Sequence, residues 1–327
     1  MTDRTWRRGV LMACASSILF ATAIAAQAQA WPVKPVHIVV AQAAGGGTDV
    51  LARLVAQKMG ESLGQAVIVE NKTGAGGVIG TNFVAKAAPD GYTLLMAPTG
   101  NMVFAPILYP KLPYAPLQSF VPVSMVATFP LVLVVNASKP FLTAQELIAY
   151  MKSNPEKANY GGSGPAFQFA MELFKLQTGT KAQFIQYKGT NEVISAMIAG
   201  DLLLSLLDTG PMAAQIAAGR LRALAVTSPQ RLASLPNVPT MAEIGMPDLE
   251  IQYWAGIFAP AGTPPAVVKR LEGEIQRIVR LPDVAERMTS IQVHPAGSSS
   301  EEFVTLLASE LSRWSAVAKA ANIKPNE

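Results

Sequence analysis

The chain repeatedly alternates short β-rich runs with amphipathic segments, and this alternation is the feature that most restricts its fold. The run VHIVVA at 36–41 precedes the helical pattern TDVLARLVAQKMG, and the run QAVIVE at 65–70 precedes another helical segment. Strands that alternate with helices at this spacing form βαβ units, in which neighbouring strands are parallel. The sequence therefore predicts an α/β fold with mainly parallel sheets.

A second series of β-rich and helical segments begins near the middle of the chain. Two apolar runs separated by Pro130 occupy positions 120–138, and a further β-rich run, YWAGIFAPAG, lies at 253–262 before the C-terminal helical segments. The simplest arrangement that accommodates both series has two lobes, which exchange strands near 128 and near 253.

This arrangement assigns residues 31–128 and 253–327 to the first lobe and residues 129–252 to the second. The C-terminal helices then return to the first lobe. Lobes of this kind present their ligand-facing loops at the carboxyl ends of their strands. We therefore expect a ligand cleft between the two lobes.

The N-terminal segment resembles an export signal. It begins with the basic stretch MTDRTWRRGV, continues with an apolar run to about Ala26, and ends with Ala28-Gln29-Ala30 before Trp31. A basic start, an apolar stretch and a small-x-small site are typical of a secretory signal peptide, so we expect cleavage after Ala30. The alternative, a retained membrane anchor, requires a longer apolar run than this Ala-rich one.

Composition excludes several classes of protein. The chain has 26 basic and 22 acidic side chains, and its formal net charge of +4 gives no reason to expect a nucleic-acid partner. Its one cysteine, Cys14, lies within the predicted signal peptide. The mature chain would therefore have neither a disulfide nor a thiolate metal site. After the signal peptide, no apolar run reaches membrane length.

A glycine-rich loop, AAGGGTDV, follows the first predicted strand. A phosphate-binding P-loop requires a lysine after its glycines, but here Asp49 follows Thr48 and the next lysine is Lys58. The stretch GAGGVIG has Ile79 in place of the third glycine of a dinucleotide fingerprint. Two interpretations remain: a tight turn with Thr48 or Asp49 as helix cap, or the same turn binding a small anion through free N–H groups.

Local signs of catalysis are weak. After residue 30 the chain has two histidines, His37 within a predicted strand and His294 near the end. The stretch GGSGP has Pro165 in place of the last glycine of a G-x-S-x-G nucleophile motif. There is no HExxH motif or cysteine cluster, so we expect no metal site. An enzyme built from residues distant in sequence remains an alternative.

Five loops share one character, because small or polar residues follow a predicted strand and precede a helix. They are AAGGGTD, APTGN, YGGSGPAFQ, YKGTNE and LDTGP. Since they come from both predicted lobes, together they predict a cleft that closes on a small anion. None contains arginine. Binding of a carboxylate would therefore depend on helix N-termini, hydroxyl groups and water.

Longer stretches resemble a known family. The segments ENKTGAGG, KAAPDGYTLL, YKGTNEVISAMIAGDL and APAGTPPAVVKRLEGEI are similar to the solute receptors of the tripartite tricarboxylate transporter family, the Bug-type periplasmic receptors. The resemblance covers essentially the whole chain after the predicted signal peptide. It implies a type II periplasmic binding protein fold, with two α/β lobes around a ligand cleft.

The resemblance also implies a function. Members of the family have no catalytic activity and present small organic acids, such as di- and tricarboxylates, amino acids and aromatic acids, to the membrane subunits of a transporter. Some serve a sensor system, so a sensor kinase is a further potential partner. We expect a periplasmic monomer that binds a small carboxylate and uses no cofactor. The alternative is a periplasmic enzyme that acts on such an acid.

The binding residues that the resemblance implies lie in the strand-end loops. They are Gly46, Gly47, Thr48, Asp49, Thr99, Asn101, Ser163, Gly164, Tyr187, Gly189, Thr190 and Asp208. Two stretches depart from the family pattern: Gln42-Ala43-Ala44 replaces a proline-rich segment, and PAFQFAM replaces a segment rich in serine with a histidine. Phe167 and Gln168 therefore stand where small polar and imidazole groups are expected, and both join the predicted site.

Phe167 has two interpretations. With Met171 and Phe174 it falls at helical spacing, which is typical of a core stripe. If it lines the cleft instead, it forms an apolar wall against which the charged groups of a citrate-like ligand would be desolvated. An aromatic or partly apolar acid would gain from stacking on the ring.

Overall fold

The computed structural model describes residues 31–325. The predicted signal peptide and its cleavage site lie outside the described residues. Ten strands form the sheet. In chain order they are β1 (Val36–Val40), β2 (Val67–Asn71), β3 (Thr93–Pro98), β4 (Phe120–Asn136), β5 (Asn159–Gly162), β6 (Gln183–Gln186), β7 (Leu204–Asp208), β8 (Leu221–Val226), β9 (Gln252–Pro260) and β10 (His294–Pro295).

Helices connect most of these strands and cover the sheet. In chain order they are α1 (Gly47–Leu63), α2 (Val78–Ala85), α3 (Ala105–Leu108), α4 (Pro116–Ser119), α5 (Ala144–Ser153), α6 (Pro165–Thr178), α7 (Thr190–Ala199), α8 (Thr209–Ala217), α9 (Pro265–Val279), α10 (Pro282–Ser290) and α11 (Ser300–Ala320). Single turns of 3₁₀ helix lie at Ala75–Gly77, Pro155–Lys157 and Pro247–Leu249, and a π-helical turn lies at Gly100–Phe104. Within residues 31–325, no helix combines the length and apolar character that crossing a membrane requires.

The strands fall into two groups. In the first group β1 lies between β2 and β3 and is parallel to both. In the second group β5 is parallel to both β6 and β7. Strand β1 is apolar along most of its length because its two faces pack in two different cores. Val36, Ile38 and Val40 pack with residues of α1 in one core, and Val39 packs in the other.

Two long strands, β4 and β9, run antiparallel to their neighbours and join the two groups. Strand β9 pairs with β3 and with β4 as far as Pro130. From Leu131 to Asn136, β4 pairs with β7 and β8 instead. The α/β fold is therefore as expected, but the sheet is mixed, because the parallel strand pairs among the described residues lie within β1–β3 and β5–β7.

An aromatic cluster lies where the two strand groups meet. We define it as Phe104, Phe169, Tyr253 and Trp314. The ring centroid of Phe104 lies 4.8 Å from that of Phe169, 5.5 Å from that of Tyr253 and 5.4 Å from that of Trp314. These rings come from the π-helical turn, α6, β9 and α11, so one apolar core connects elements that are far apart in sequence.

Candidate ligand-binding cavity

A cavity of about 530 Å³ lies between the two strand groups. Its lining comes from the loop before α1, the segment after β3, the β5–α6 loop, the end of β7 and the long strands β4 and β9. Eight of the predicted binding residues line it: Gly47, Thr48, Thr99, Asn101, Ser163, Gly164, Phe167 and Asp208. A cavity of this size matches a small-molecule ligand.

The start of α1 forms one wall. Gly46 is the N-cap residue and carries no side chain, so the cap leaves the first N–H groups of the helix without a side-chain acceptor. Gly47 and Thr48 follow it and line the cavity. Of the two interpretations of this loop, the anion-binding one therefore has the necessary geometry, because the N-terminus of α1 opens on the cavity.

Asp49 does not line the cavity, because its carboxylate is held within the protein. It accepts hydrogen bonds from the Gly45 N–H at 2.9 Å, from Arg53 Nε at 2.9 Å and from Asn71 Nδ2 at 2.9 Å. Burial acts to raise the pKa of Asp49, but these hydrogen bonds outweigh it and hold the pKa below its ordinary value. The role that the structure gives Asp49 is to fix the glycine loop.

Asn101 lies in the π-helical turn and is held in place from two sides. Gln42 Nε2 donates to Asn101 Oδ1 at 2.6 Å, and Asn101 Nδ2 donates to the Gly76 carbonyl oxygen at 3.3 Å. Gly77 has a φ of +94°, and a Cβ at that position would overlap Asn101 Nδ2. Only glycine fits there, so the turn at Ala75–Gly77 determines where the Asn101 amide lies.

Thr99 lines the cavity, but its hydroxyl is engaged by β9. The Thr99 hydroxyl accepts from the Trp254 N–H at 2.8 Å and donates to the Trp254 carbonyl oxygen at 3.2 Å. Thr99 is therefore a link between the segment after β3 and the long strand. A ligand could contact the Thr99 side chain, but the hydroxyl hydrogen is already donated to Trp254.

The β5–α6 loop forms the opposite wall. Ser163 and Gly164 line the cavity, and the Ser163 hydroxyl lies 3.1 Å from that of Thr190. Thr190 does not itself reach the cavity lining. The Tyr253 hydroxyl donates to the Ala166 carbonyl oxygen and so ties the first turn of α6 to β9.

Phe167 combines the two interpretations of its position. It lines the cavity and also packs against the apolar core, whereas Met171 and Phe174 of the same stripe are fully buried. The core stripe therefore ends in the cavity wall. This follows from α6 starting at the cavity, because its first turn faces the cavity while its later turns face the core.

Four further predicted residues are not brought to the cavity lining. Gly46 lies behind Gly47 at the helix cap, and Gln168 of α6 is not part of the lining. Tyr187 packs beside Gly161 of β5, and Gly189 is the N-cap of α7. The β6–α7 loop is therefore linked to the cavity wall through the hydroxyl of Thr190 beside that of Ser163.

Asp208 ends β7 and lines the cavity. It is the N-cap residue of α8, yet its side chain makes no capping hydrogen bond. Burial raises the pKa of Asp208 to about 6. Burial also raises the pKa of Tyr253, and the negative charge of Asp208 acts in the same direction.

The lining residues that sequence reasoning missed are mostly apolar. Examples are Phe104, Leu108, Phe129, Tyr253 and Trp254. They differ from the polar residues that follow strand ends, since they are apolar or aromatic and come from the π-helical turn, α3, β4 and β9. The sequence carries one signal for two of them. Phe129 and Tyr253 lie at the expected crossings between lobes, near 128 and 253, and they are paired across β4 and β9.

The cavity carries little charge. No lysine, arginine or histidine is among its lining residues, and Asp208 is its one acidic residue. Within the part of the chain that the structure describes, no three His, Cys, Asp or Glu side chains are grouped to hold a metal ion. The site therefore offers helix N-termini, a serine and a threonine hydroxyl, the side-chain amides of Gln42 and Asn101, one carboxylate and apolar walls.

Comparison with known proteins identifies the family. The model of the tripartite tricarboxylate transporter family receptor matches residues 51–323. The chain belongs to this family. A protein from the tcbD–tcbE intergenic region of Pseudomonas sp. strain P51 is 38% identical over 94% of this chain and 92% of its own length. The BugT protein of Bordetella pertussis is 35% identical over 91% of this chain and 92% of its own length.

Solved structures of similar proteins have the same fold. R. palustris Rpa4515 with adipate is 32% identical, with a TM-score of 0.77 over 90% of this chain and 100% of that one. The periplasmic binding protein BugD is 34% identical, with a TM-score of 0.74 over 90% of this chain and 100% of that one. MatC from Rhodopseudomonas palustris with bound malate is 30% identical, with a TM-score of 0.73 over 88% of this chain and 99% of that one.

These comparisons confirm the expected family and fold class. The protein is a member of a family of solute-binding receptors, which are not enzymes. Receptors of this family bind small carboxylates and work with tripartite transporters.

Proposed function

We propose that the protein is a periplasmic receptor that captures a small organic acid in the cavity and delivers it to the membrane subunits of a tripartite tricarboxylate-type transporter. The observation that carries the proposal is the cavity of about 530 Å³ at the N-termini of α1 and α6, which offer N–H groups to an anion. Adipate and malate bound to related receptors support a carboxylate as the ligand.

The ligand contacts that we propose are the eight predicted residues on the cavity wall. Gly47, Thr48, Ser163 and Gly164 lie at helix starts and would receive a carboxylate. Phe167 and the apolar residues around it would cover the body of the ligand. The other predicted residues would act by holding those contacts in position; they are Gly46, Asp49, Gln168, Tyr187, Gly189 and Thr190.

The proposal keeps the two-lobe division, with residues 31–128 and 253–327 in one lobe and residues 129–252 in the other. The change of pairing partner within β4, between Pro130 and Leu131, supports a boundary there. The proposal also includes a monomeric state and export through a cleaved signal peptide. Delivery of the ligand to a sensor kinase is its alternative to the transporter. The periplasmic location agrees with the structural neighbours, such as BugD.

A thermal-shift screen of organic acids tests the proposed function. A receptor gains stability from its ligand by mass action, by about 2.7 kcal/mol at a ligand concentration about 100 times Kd. We expect at least one small carboxylate to raise the unfolding temperature and to be recovered unchanged. The proposal is wrong if no carboxylate in a broad panel stabilises the protein, or if the stabilising acid is converted to a product.

A further inference from the structure

Asp208 places a carboxylate in the cavity with no partner to balance it. Among residues 31–325, the side chain of Asp208 makes no hydrogen bond and no ion pair with the protein. Its two oxygens can accept several hydrogen bonds. An unpaired carboxylate in a partly buried site loses hydration free energy without compensation. A hydrogen-bond donor on the ligand would provide that compensation.

A capping role does not account for Asp208. An aspartate at an N-cap ordinarily accepts a hydrogen bond from an N–H in the first turn of its helix. Here the side chain makes no such bond to α8. The carboxylate therefore does not complete the helix and remains available to the cavity that it lines.

The surrounding elements supply no counter-charge. Strand β4 and helix α8 contain no titratable side chain. On α6, Glu172 is paired with Lys175 at 2.8 Å. From β9 comes Tyr253, whose hydroxyl donates to the Ala166 carbonyl oxygen.

Three further charged or titratable groups, on α11 and β10, are also engaged or neutral. Arg313 on α11 pairs with Glu310 at 3.5 Å. His294 on β10 pairs with β4, and burial lowers its pKa, which favours the neutral ring. Within the described residues, no group packed around Asp208 is therefore positioned to neutralise it.

The rest of the cavity suits the other end of a bipolar ligand. The N-termini of α1 and α6 attract an anion. Both open on the cavity, because Gly47 at the start of α1 and Gly164 at the N-cap of α6 line it. The walls between are largely apolar, with Leu108, Phe129 and Phe167 among them. The cavity thus combines an anion-attracting part, an apolar middle and one carboxylate.

We propose that the ligand is a zwitterion, with a carboxylate at the helix N-termini, an apolar body and an ammonium group at Asp208. The inference rests on the proposed function and specifies its ligand class. An ammonium group would form a charge-assisted hydrogen bond with Asp208 and remove an unpaired charge. A dicarboxylate would instead place a second anion beside Asp208 and would have to bring in a proton.

Matched ligands of equal length test the proposal by titration calorimetry at about pH 7.5, where an ordinary carboxyl group is ionised. One series is 6-aminohexanoate, adipate and hexanoate, and the other is 4-(aminomethyl)benzoate, terephthalate and 4-methylbenzoate. We expect the amino acid of at least one series to bind about tenfold or more tightly than its two partners. Asp208→Asn should remove that preference, so that the variant binds the dicarboxylate as tightly as the amino acid or more tightly.

Asp201→Asn is the matched control, because Asp201 is exposed and lies outside the cavity lining. It should leave every affinity unchanged, and thermal unfolding should show that both variants fold. Preference of the wild type for a dicarboxylate or a simple monocarboxylate, or an unchanged ranking in Asp208→Asn, overturns the zwitterion inference. It is also overturned if the broad screen returns only acids without an amino group, in which case the receptor function still stands. If no acid binds, the proposed function itself fails.

Discussion

Thr48 is the residue whose side chain most directly tests the anion-binding wall. It follows Gly47 at the start of α1 and lines the cavity. Thr48→Val keeps the shape of the side chain and removes the hydroxyl. We expect a loss of about 1–3 kcal/mol in binding, because a hydrogen bond to a charged group is lost. Titration calorimetry measures the loss, and unchanged affinity with unchanged thermal stability would contradict a contact between Thr48 and the ligand.

Asp208 should make the stability of the ligand-free protein fall as pH rises. Its pKa is about 6 in the folded protein, above the ordinary value of 3.8, so the folded state holds the proton more tightly than the unfolded state. The stabilisation is present below pH 3.8 and is lost as pH rises through about 6, and it amounts to roughly 3 kcal/mol.

Asp208→Asn cannot ionise at this position, so it should not lose the stability that the wild type loses as pH rises. The unfolding free energy of the variant minus that of the wild type should therefore increase between about pH 4 and about pH 7. Urea unfolding at a series of pH values measures the difference. Asp201→Asn serves again as the control, since the carboxylate that it removes is exposed. A difference that stays constant across this range would show that ionised Asp208 does not destabilise the folded protein.

At the scale of single elements, the turn at Ala75–Gly77 gives a sharp test. Gly77→Ala introduces a Cβ at a φ of +94°, where it would overlap Asn101 Nδ2. We expect a loss of about 1–3 kcal/mol in stability from the backbone strain, together with weaker ligand binding, because Asn101 has to move.

Gly273→Ala is the control for this prediction. Gly273 lies within α9, and a Cβ there would meet no atom within 4 Å. The change should be neutral or stabilising by up to about 1 kcal/mol, since alanine favours helix over glycine. Equal effects of the two substitutions on stability and binding would contradict the proposed role of the turn.

The regular elements were predictable from sequence because each has a strong local pattern. Strand β1 is apolar at every position except His37, and α6 carries its stripe of Phe167, Met171 and Phe174 at helical spacing. The π-helical turn at Gly100–Phe104 has no such pattern. The antiparallel course of β4 and β9 depends on pairing between residues that are far apart in the chain, such as Phe129 and Tyr253, which local periodicity does not report.

The residues that line the cavity are predictable from sequence in part, for the same reason. Polar residues at strand ends are visible in sequence, and Thr48, Ser163 and Asp208 do line the cavity. Asp49 has the same appearance in sequence. Its structural role follows from the long-range contact with Asn71 together with the i,i+4 ion pair with Arg53.

At the scale of the whole molecule, we expect the receptor to close on its ligand. The hinge should lie near 127–130 in β4 and 252–255 in β9, where two strands cross between the proposed lobes. Small-angle scattering should give a smaller radius of gyration with saturating ligand than without it. An unchanged radius would indicate a rigid or permanently closed protein.

The aromatic cluster has a consequence for how separable the proposed lobes are. Phe169 falls in the second proposed lobe, whereas Phe104 and Trp314 fall in the first, and their rings share one apolar core. Unfolding either lobe would expose apolar surface of the other, which favours a single cooperative transition. Residues 129–252 are therefore not an exchangeable module: a chimera that takes this segment from a relative has to keep complementary rings at 104 and 314 to fold.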